Sequence, residues 1–341
     1  HAFSANKTHF AVAYARTSGT TTTRSLRILP RAGGAGSTLD AKTISTNFIP
    51  VDIAENSAGY LLVGNDEPAG SAKLAWVDAM AKVSETGTTS GRLAFAGALD
   101  TDGARTLARS GTGGSAKAVT DLYDAYGVLE NTVDLGPLRR PVNHWDLAWR
   151  NSANRGVACG YTTSGPVDLL TVFELQGDTV TPRVTTHALA ADPDPAKWTS
   201  RFACRIAMGP DFSAVAFVES DGRPRLIWLD SEGKILAGPA PFGPDYTSGA
   251  FPAFDVAISG DNTAVAFFDK STGAARILVR VYSGPGFAPV DVEVSGDRNL
   301  GAFTTSRVRL VGLDDGFSVA YDAAIGTTRT DILYRDIGCT P

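Results

Sequence analysis

The chain has 341 residues, a formal net charge of −5 and a pI near 5.4, with 43% hydrophobic and 20% charged residues. A full hydrophobic core is within reach of such a composition. The acidic balance argues against the basic footprint that nonspecific nucleic-acid binding needs, and no apolar run approaches the ~18 residues of a membrane-spanning helix.

The 36 glycines and the few charges point to many turns and few solvated helix faces. Taken in chain order, one hairpin pattern recurs. "FAVAYARTSG" sets an anchor at Ala13, and residues 2–5 align as the strand before it. "PVDIAENSAG" then reads as a first strand, "YLLVGNDEPAG" as a second anchored on Val63, and "KLAWVDA" as a third. "ARTLARSGTGG" anchors on Ala108, although "GRLAFAGALDTDG" just upstream fits the frame nearly as well. "SAKAVTDLYDAYG" is Ala-rich enough to suggest a helix, but its place makes it a third strand.

The fourth unit runs "WDLAWRNSAN", "GVACGYTTSG" with Ala158, "VDLLTVFEL" and "TVTPRVTTHAL". The fifth runs "FACRIAMGPD", "SAVAFVESDG" with Ala216, and "PRLIWLD". The sixth runs "FDVAISGDN", "TAVAFFDKSTG" with Ala266, "ARILVRVY" and "FAPVDVEVS". The seventh runs "SRVRLVGLDDG", "FSVAYDAAIG" with Ala320, and "TDILYRD", with no fourth strand after it.

The seven anchors are 50, 45, 50, 58, 50 and 54 residues apart. Alternating apolar and polar residues that end in Gly, Asp or Asn mark half-buried strands entering tight turns. Four short antiparallel strands per unit at this period describe a propeller blade. The expectation is an all-β, seven-bladed β-propeller of four-stranded antiparallel blades, with three or four strands in the last, forming one domain over residues 1–341.

The turns "SGDNTAVAF", "GPDFSAVAF" and "LDDGFSVAY" resemble those of bacterial secreted propellers with TolB-type or WD-repeat-like blades. The resemblance covers nearly the whole chain and implies the fold. It says little of function, because propellers host many chemistries. The Trp-Asp pair of WD repeats and the Ser-x-Asp-x-Gly-x-Thr-Trp box of sialidases are absent from the sequence.

Nucleophilic catalysis has no motif here: the four histidines, His1, His9, His144 and His187, accompany no Gly-x-Ser-x-Gly elbow. Cys159 and Cys204 fall on neighbouring strands of blades four and five, where either a disulfide or two buried thiols would fit. The interior look of both strands favours thiols, and Cys339 sits in the tail. Asp66, Glu67, Glu219, Asp221, Asp269 and Asp322 fall at hairpin tips. Ca2+ binding is one reading of them; ordinary turn chemistry is favoured, since no Asp-x-Asp-x-Asp-Gly run concentrates ligands. No other cofactor is expected.

Three loops that lead from one blade to the next depart most from the repeat. "GPLRRPVNHWD" carries Arg139, Arg140, His144 and Trp145; "ADPDPAKWTS" carries Asp192, Asp194, Lys197 and Trp198; "FGPDYTSGAF" carries Asp245 and Tyr246. Aromatics beside fixed polar groups on long loops make a ligand rim, so Arg139, Arg140, His144, Trp145, Trp198, Asp245 and Tyr246 are the expected ligand-binding residues. The alternative for the tryptophans is that they plug the blade interfaces.

The expected function is a noncatalytic, exported binding module for a protein or carbohydrate, secreted, periplasmic or at the cell surface. It would be monomeric, with no nucleic acid and no membrane insertion. The alternatives are a glycan-directed propeller enzyme (glycoside hydrolase or polysaccharide lyase) and a scaffold part of a larger assembly. The start at His1, without a signal-peptide h-region, reads as a processed form or an excised piece.

Overall fold

The computed structural model describes the chain except residues 1, 7, 19, 56–58, 67–68, 100–102, 112–115, 138–144, 151–152, 165–166, 177–178, 182–186, 189–203, 220–221, 245–253, 270, 272–274, 297–299, 301–307, 326–328 and 339–341. Seven antiparallel sheets follow one another along the sequence. Sheet one contains β1 (Ala2–Ala5), β2 (His9–Ser18), β3 (Thr21–Pro30) and β4 (Ser37–Asp40). A single 3-10 turn, Ala41–Thr43, leads into sheet two: β5 (Phe48–Glu55), β6 (Tyr60–Asp66), β7 (Ser71–Val77) and β8 (Val83–Ser90). Sheet three contains β9 (Arg92–Leu99), β10 (Gly103–Ser110), β11 (Lys117–Asp124) and β12 (Leu129–Pro137).

Sheet four contains β13 (Asp146–Arg150), β14 (Arg155–Ser164) and β15 (Val167–Gln176), with two short strands, β16 (Thr179–Thr181) and β17 (His187–Ala188), both paired to β15. The single fourth strand expected there is thus in two pieces. Sheet five contains β18 (Cys204–Met208), β19 (Phe212–Val218), β20 (Pro224–Asp230) and β21 (Ile235–Pro241). Sheet six contains β22 (Phe254–Ser259), β23 (Asn262–Asp269), β24 (Arg276–Tyr282) and β25 (Val290–Glu293). Sheet seven has three strands: β26 (Val308–Leu313), β27 (Gly316–Ile325) and β28 (Arg329–Gly338).

This is a seven-bladed β-propeller of mostly four-stranded sheets with a three-stranded last sheet. No helix among the described residues is long and apolar enough to cross a membrane. By internal contacts the chain divides into two compact units. One is His1–Arg140, Trp145–Ala158 and Phe173–Pro182; the other is Pro141–His144, Cys159–Val172 and Arg183–Pro341.

Burial follows strand position, and the sequence pattern explains it. The second strands are covered on both faces, so β19 and most of β23 read as continuous apolar runs. All seven anchors (Ala13, Val63, Ala108, Ala158, Ala216, Ala266 and Ala320) lie in second strands at 0% exposure. The fourth strands β8, β21 and β25 are mostly exposed, even where they carry Ile235, Leu236 and Val290. Within the first unit, clusters built on Leu26 and Leu62, on Val63 and Tyr123, and on Leu107 and Phe173 join successive sheets face to face. In the second unit the clusters built on Trp228 and Phe267, and on Val279 and Val319, do the same. Close approach selects small residues: a Cβ on Gly97 of β9 would collide with Val63, the anchor of the preceding sheet.

The hairpins between third and fourth strands share a turn that sequence reading missed. In "DAMAK", "DAYGV" and "DSEGK", Asp78, Asp124 and Asp230 each accept from two backbone amides, two and four residues on, at 2.8–2.9 Å. The fourth position is left-handed: Ala81 at φ 61°, Gly127 at 76° and Gly233 at 77°.

Candidate functional site

Of the seven expected rim residues, Arg139, Arg140, His144, Trp198, Asp245 and Tyr246 lie outside the described residues. Trp145 lies just before β13 and is 1% exposed. Its ring stacks on Phe173 of β15, centroids 5.7 Å apart and planes at 19°. It belongs to the core between sheets three and four, with Leu107, Ala118 and Leu147. Its indole Nε1 is buried without a hydrogen-bond partner, so apolar packing alone holds the ring. Trp149, four residues on, stacks under the Arg105 guanidinium at 4.4 Å. Trp145 therefore acts in packing, and a ring so fully buried offers no surface to a ligand.

The acidic hairpin tips are locally paired where they are described. Glu219 accepts from Arg225 Nε at 3.0 Å. Asp269, 3% exposed, accepts from Arg276 Nε at 2.8 Å and from the Ser271 amide at 2.8 Å. Burial pushes the Asp269 carboxyl up, but the Ser271 amide and hydroxyl and the Arg276 guanidinium outweigh it and hold the group below its ordinary value. Asp66 accepts from the Ser45 hydroxyl. Glu67 and Asp221 lie outside the described residues. Among the described residues no three His, Cys, Asp or Glu side chains gather where a metal ion could be held. The cross-strand arginines explain why: β20 and β24 place Arg225 and Arg276 beside the tip that ends the preceding strand.

Sequence reasoning missed a second set of carboxylates, on the first strands. Asp52 of β5 accepts from the Gly97 amide of β9 at 3.0 Å. Asp255 of β22 accepts from the Leu310 amide of β26 at 2.9 Å and lies 3.9 Å from Arg205 of β18. Opposite anchors Val63, Ala216 and Ala266 the register places Asp52, Arg205 and Asp255. These side chains bond the backbone or side chain of a neighbouring sheet, which ties successive first strands together. The signal was present in the sequence as a charge inside the first strands β5, β18, β22 and β26, where alternation calls for an apolar or small residue.

A third group lies at the end of β5. Glu55 accepts from Ser4 Oγ at 2.8 Å, and Asn6 Nδ2 donates to Tyr60 Oη at 3.2 Å. Burial pushes the Glu55 carboxyl up to about 7, against the Ser4 hydrogen bond. Burial, with the Glu55 charge second, also pushes the Tyr60 hydroxyl up.

The cysteines form a disulfide. Cys159 of β14 and Cys204 of β18 are bonded, with Cα atoms 6.2 Å apart and both side chains at 0% exposure. This corrects the thiol reading favoured from sequence. Both residues are interior, as expected, but the strands approach within the Cα range a disulfide spans, which interior patterning cannot reveal.

No protein-family model matches the chain, and no curated protein matches it in sequence. Among solved structures it is similar to the β-propeller domain of the trilobed protease of Pyrococcus furiosus, at 9% identity and TM-score 0.57, over 100% of this chain and 95% of that one. It is similar to prolyl oligopeptidase B of Galerina marginata at 11% identity and TM-score 0.58, over 98% of this chain and 48% of that one. It is also similar to a polysaccharide lyase at 10% identity and TM-score 0.57, over 99% of this chain and 89% of that one. The chain spans 46% to 52% of the prolyl and acylaminoacyl peptidases it matches. At these identities the likeness shows the propeller fold. The TolB-type and WD-repeat families gain no support from it.

Proposed function

We propose that the protein is an exported, noncatalytic propeller that binds a protein or carbohydrate through the loops joining one blade to the next. The observation that carries this reading is the pairing of the regular carboxylates. Glu219, Asp269, Asp52 and Asp255 are each engaged by an arginine or a backbone amide. General acid–base work on a glycan needs a carboxyl that can reach the substrate. With the scaffold groups engaged in structure, specificity falls to the irregular loops that carry Arg139, Arg140, His144, Trp198, Asp245 and Tyr246. Export is supported by the Cys159–Cys204 disulfide, since such bonds persist in oxidising compartments.

The test is a glycan array and an immobilised-protein screen, run beside assays for reducing ends and for unsaturated uronate products. Binding without turnover is expected. Trp198→Ala and Tyr246→Ala should weaken that binding at least tenfold with the fold intact, whereas Trp145→Ala should lower stability and leave affinity per folded molecule unchanged. Turnover of any glycan would overturn the noncatalytic reading. It would favour the second reading, a polysaccharide lyase or glycoside hydrolase, for which the likeness to a polysaccharide lyase over 99% of this chain speaks.

A further inference from the structure

Arg109, the penultimate residue of β10, stands apart from the other arginines of the scaffold. Arg92, Arg155, Arg205, Arg225, Arg276 and Arg280 each have a carboxylate within 3.9 Å. Arg109 has no ion pair, hydrogen bond or ring contact among the described residues, and its Nε is buried. A covered N–H without an acceptor costs free energy, and more so on a charged group. The residue after the anchor is uncharged in the other six second strands: Tyr14, Gly64, Cys159, Phe217, Phe267 and Tyr321. Sheet three alone departs from that pattern, and a departure that costs stability is where function is expected.

The register places this group at the end of sheet three from which the chain leaves for sheet four. Arg109 stands opposite Leu93 of β9 and Ala118 of β11. Ser110 beside it stands opposite Arg92 and Lys117, and Lys117 opposite Pro137, the last residue of β12. Ala118 shares a core with Trp145 and Leu147, so alternation turns Arg109 toward sheet four. Arg105, four residues earlier on the same face, lays its guanidinium on Trp149 at 4.4 Å. The wall that faces Arg109 offers no acceptor: Leu147 and Ala118 are apolar, and the polar atom of Trp145 is itself a donor without a partner. Asp146 alternates to the other side of β13, and Asp134 of β12 is held by Lys117. Arg109 is only half-buried, so an acceptor can come from outside.

We propose that Arg109 receives a carboxylate side chain, Glu or Asp, of a protein partner, at the end of sheet three that carries the interblade loop. A guanidinium takes a carboxylate through two parallel N–H bonds, and a desolvated arginine is a common energetic centre of protein interfaces. The recess selects the source of the carboxylate. That of glutamate sits on two methylenes and reaches a covered Nε, whereas that of a uronate is bonded directly to a sugar ring, which the rim would stop. The inference rests on the protein-binding form of the reading above and names the partner's chemistry.

Fluorescein-labelled decaglutamate, decaglutamine and polygalacturonate, each titrated with the whole chain at low salt and followed by anisotropy, test this. Decaglutamate should bind, decaglutamine should not, and polygalacturonate should bind more weakly than decaglutamate by about tenfold or more. Arg109→Gln should weaken decaglutamate by about tenfold or more. Arg27→Gln, which removes an exposed arginine of sheet one, should leave it within about twofold. Arg109→Met should leave the melting temperature unchanged or raise it, because no bond of the fold is lost. Decaglutamate that fails to bind, binds Arg109→Gln equally well, or is matched by polygalacturonate overturns the proposal. So does a melting temperature lowered by Arg109→Met, which would show a partner within the fold. If Arg109→Gln weakens decaglutamate while Trp198→Ala and Tyr246→Ala weaken no ligand found by the screen above, this inference stands and the loop reading falls; the converse result has the opposite meaning.

Discussion

Glu55 is a largely covered carboxyl, and its hydrogen bond from Ser4 Oγ does not offset the loss of water. Its folded pKa of about 7 stands above the ordinary value of 4.5. A raised carboxyl pKa means that the folded state holds the proton more tightly than the unfolded chain. This stabilising contribution is complete below about pH 4.5 and is lost as pH rises through about 7. Glu55→Gln keeps the shape and removes the charge. It should raise stability at pH 8 by about 1–3 kcal/mol and leave it nearly unchanged at pH 4, as measured by chemical denaturation at the two pH values. A wild-type stability that does not fall between pH 5 and 8 relative to Glu55→Gln would show that the group is better solvated than its burial implies. Asp269 has the opposite sign. Its depressed pKa stabilises the fold above the ordinary carboxylate range and ceases to do so on acidification.

The unit at the element scale is the hairpin, and its repeat is a steric requirement. Ala266 lies between Asp255 and Val279 in register and is covered on both faces of its sheet. Ala266→Leu adds methylenes where no space exists and should lower stability by about 1–3 kcal/mol in thermal or denaturant unfolding. The turns between third and fourth strands give a sharper comparison. Gly233 and Ala81 hold the same left-handed position, at φ 77° and 61°. A side chain there costs roughly 1–2 kcal/mol, so Gly233→Ala should destabilise by about that amount. Ala81 already bears the strain but buries its methyl at 6% exposure in the core of sheets one and two. That burial contributes about 0.8 kcal/mol, so relief and loss nearly cancel, and Ala81→Gly should change stability by less than about 1 kcal/mol. Unequal turns built on equal Asp caps are thus explained by what the fourth residue touches.

For the whole molecule, the disulfide is the covalent link between sheets four and five, across 45 residues of sequence. Cys159→Ser with Cys204→Ser removes it, and a loop of this length predicts a loss of about 2–5 kcal/mol. The loss should be absent when the wild type is compared under reducing conditions strong enough to open the buried bond, and melting curves with and without reductant check this. A bond that leaves stability unchanged when removed would mean that the apolar interfaces suffice.

Seven anchors at near-constant spacing, first-strand limits such as Ala2–Ala5 and the three-stranded last sheet were legible in the sequence, because strand alternation and turn residues are local properties that repeat. The burial of every anchor was legible for the same reason: a position that must be small in each copy betrays what lies on both sides of it. The two-part fourth strand of sheet four, the Cys159–Cys204 bond, the stacking of Trp145 on Phe173 and the pairing of Asp255 with the Leu310 amide were not. Each depends on how near residues far apart in sequence come, a distance that no periodicity encodes. The sequence by itself determined the blade, its number and its core, since these follow from local pattern and volume. Only the tertiary structure decided which polar groups are spent inside the scaffold, because a carboxylate or an indole reads the same in sequence whether its partner is water, a ligand or the neighbouring sheet.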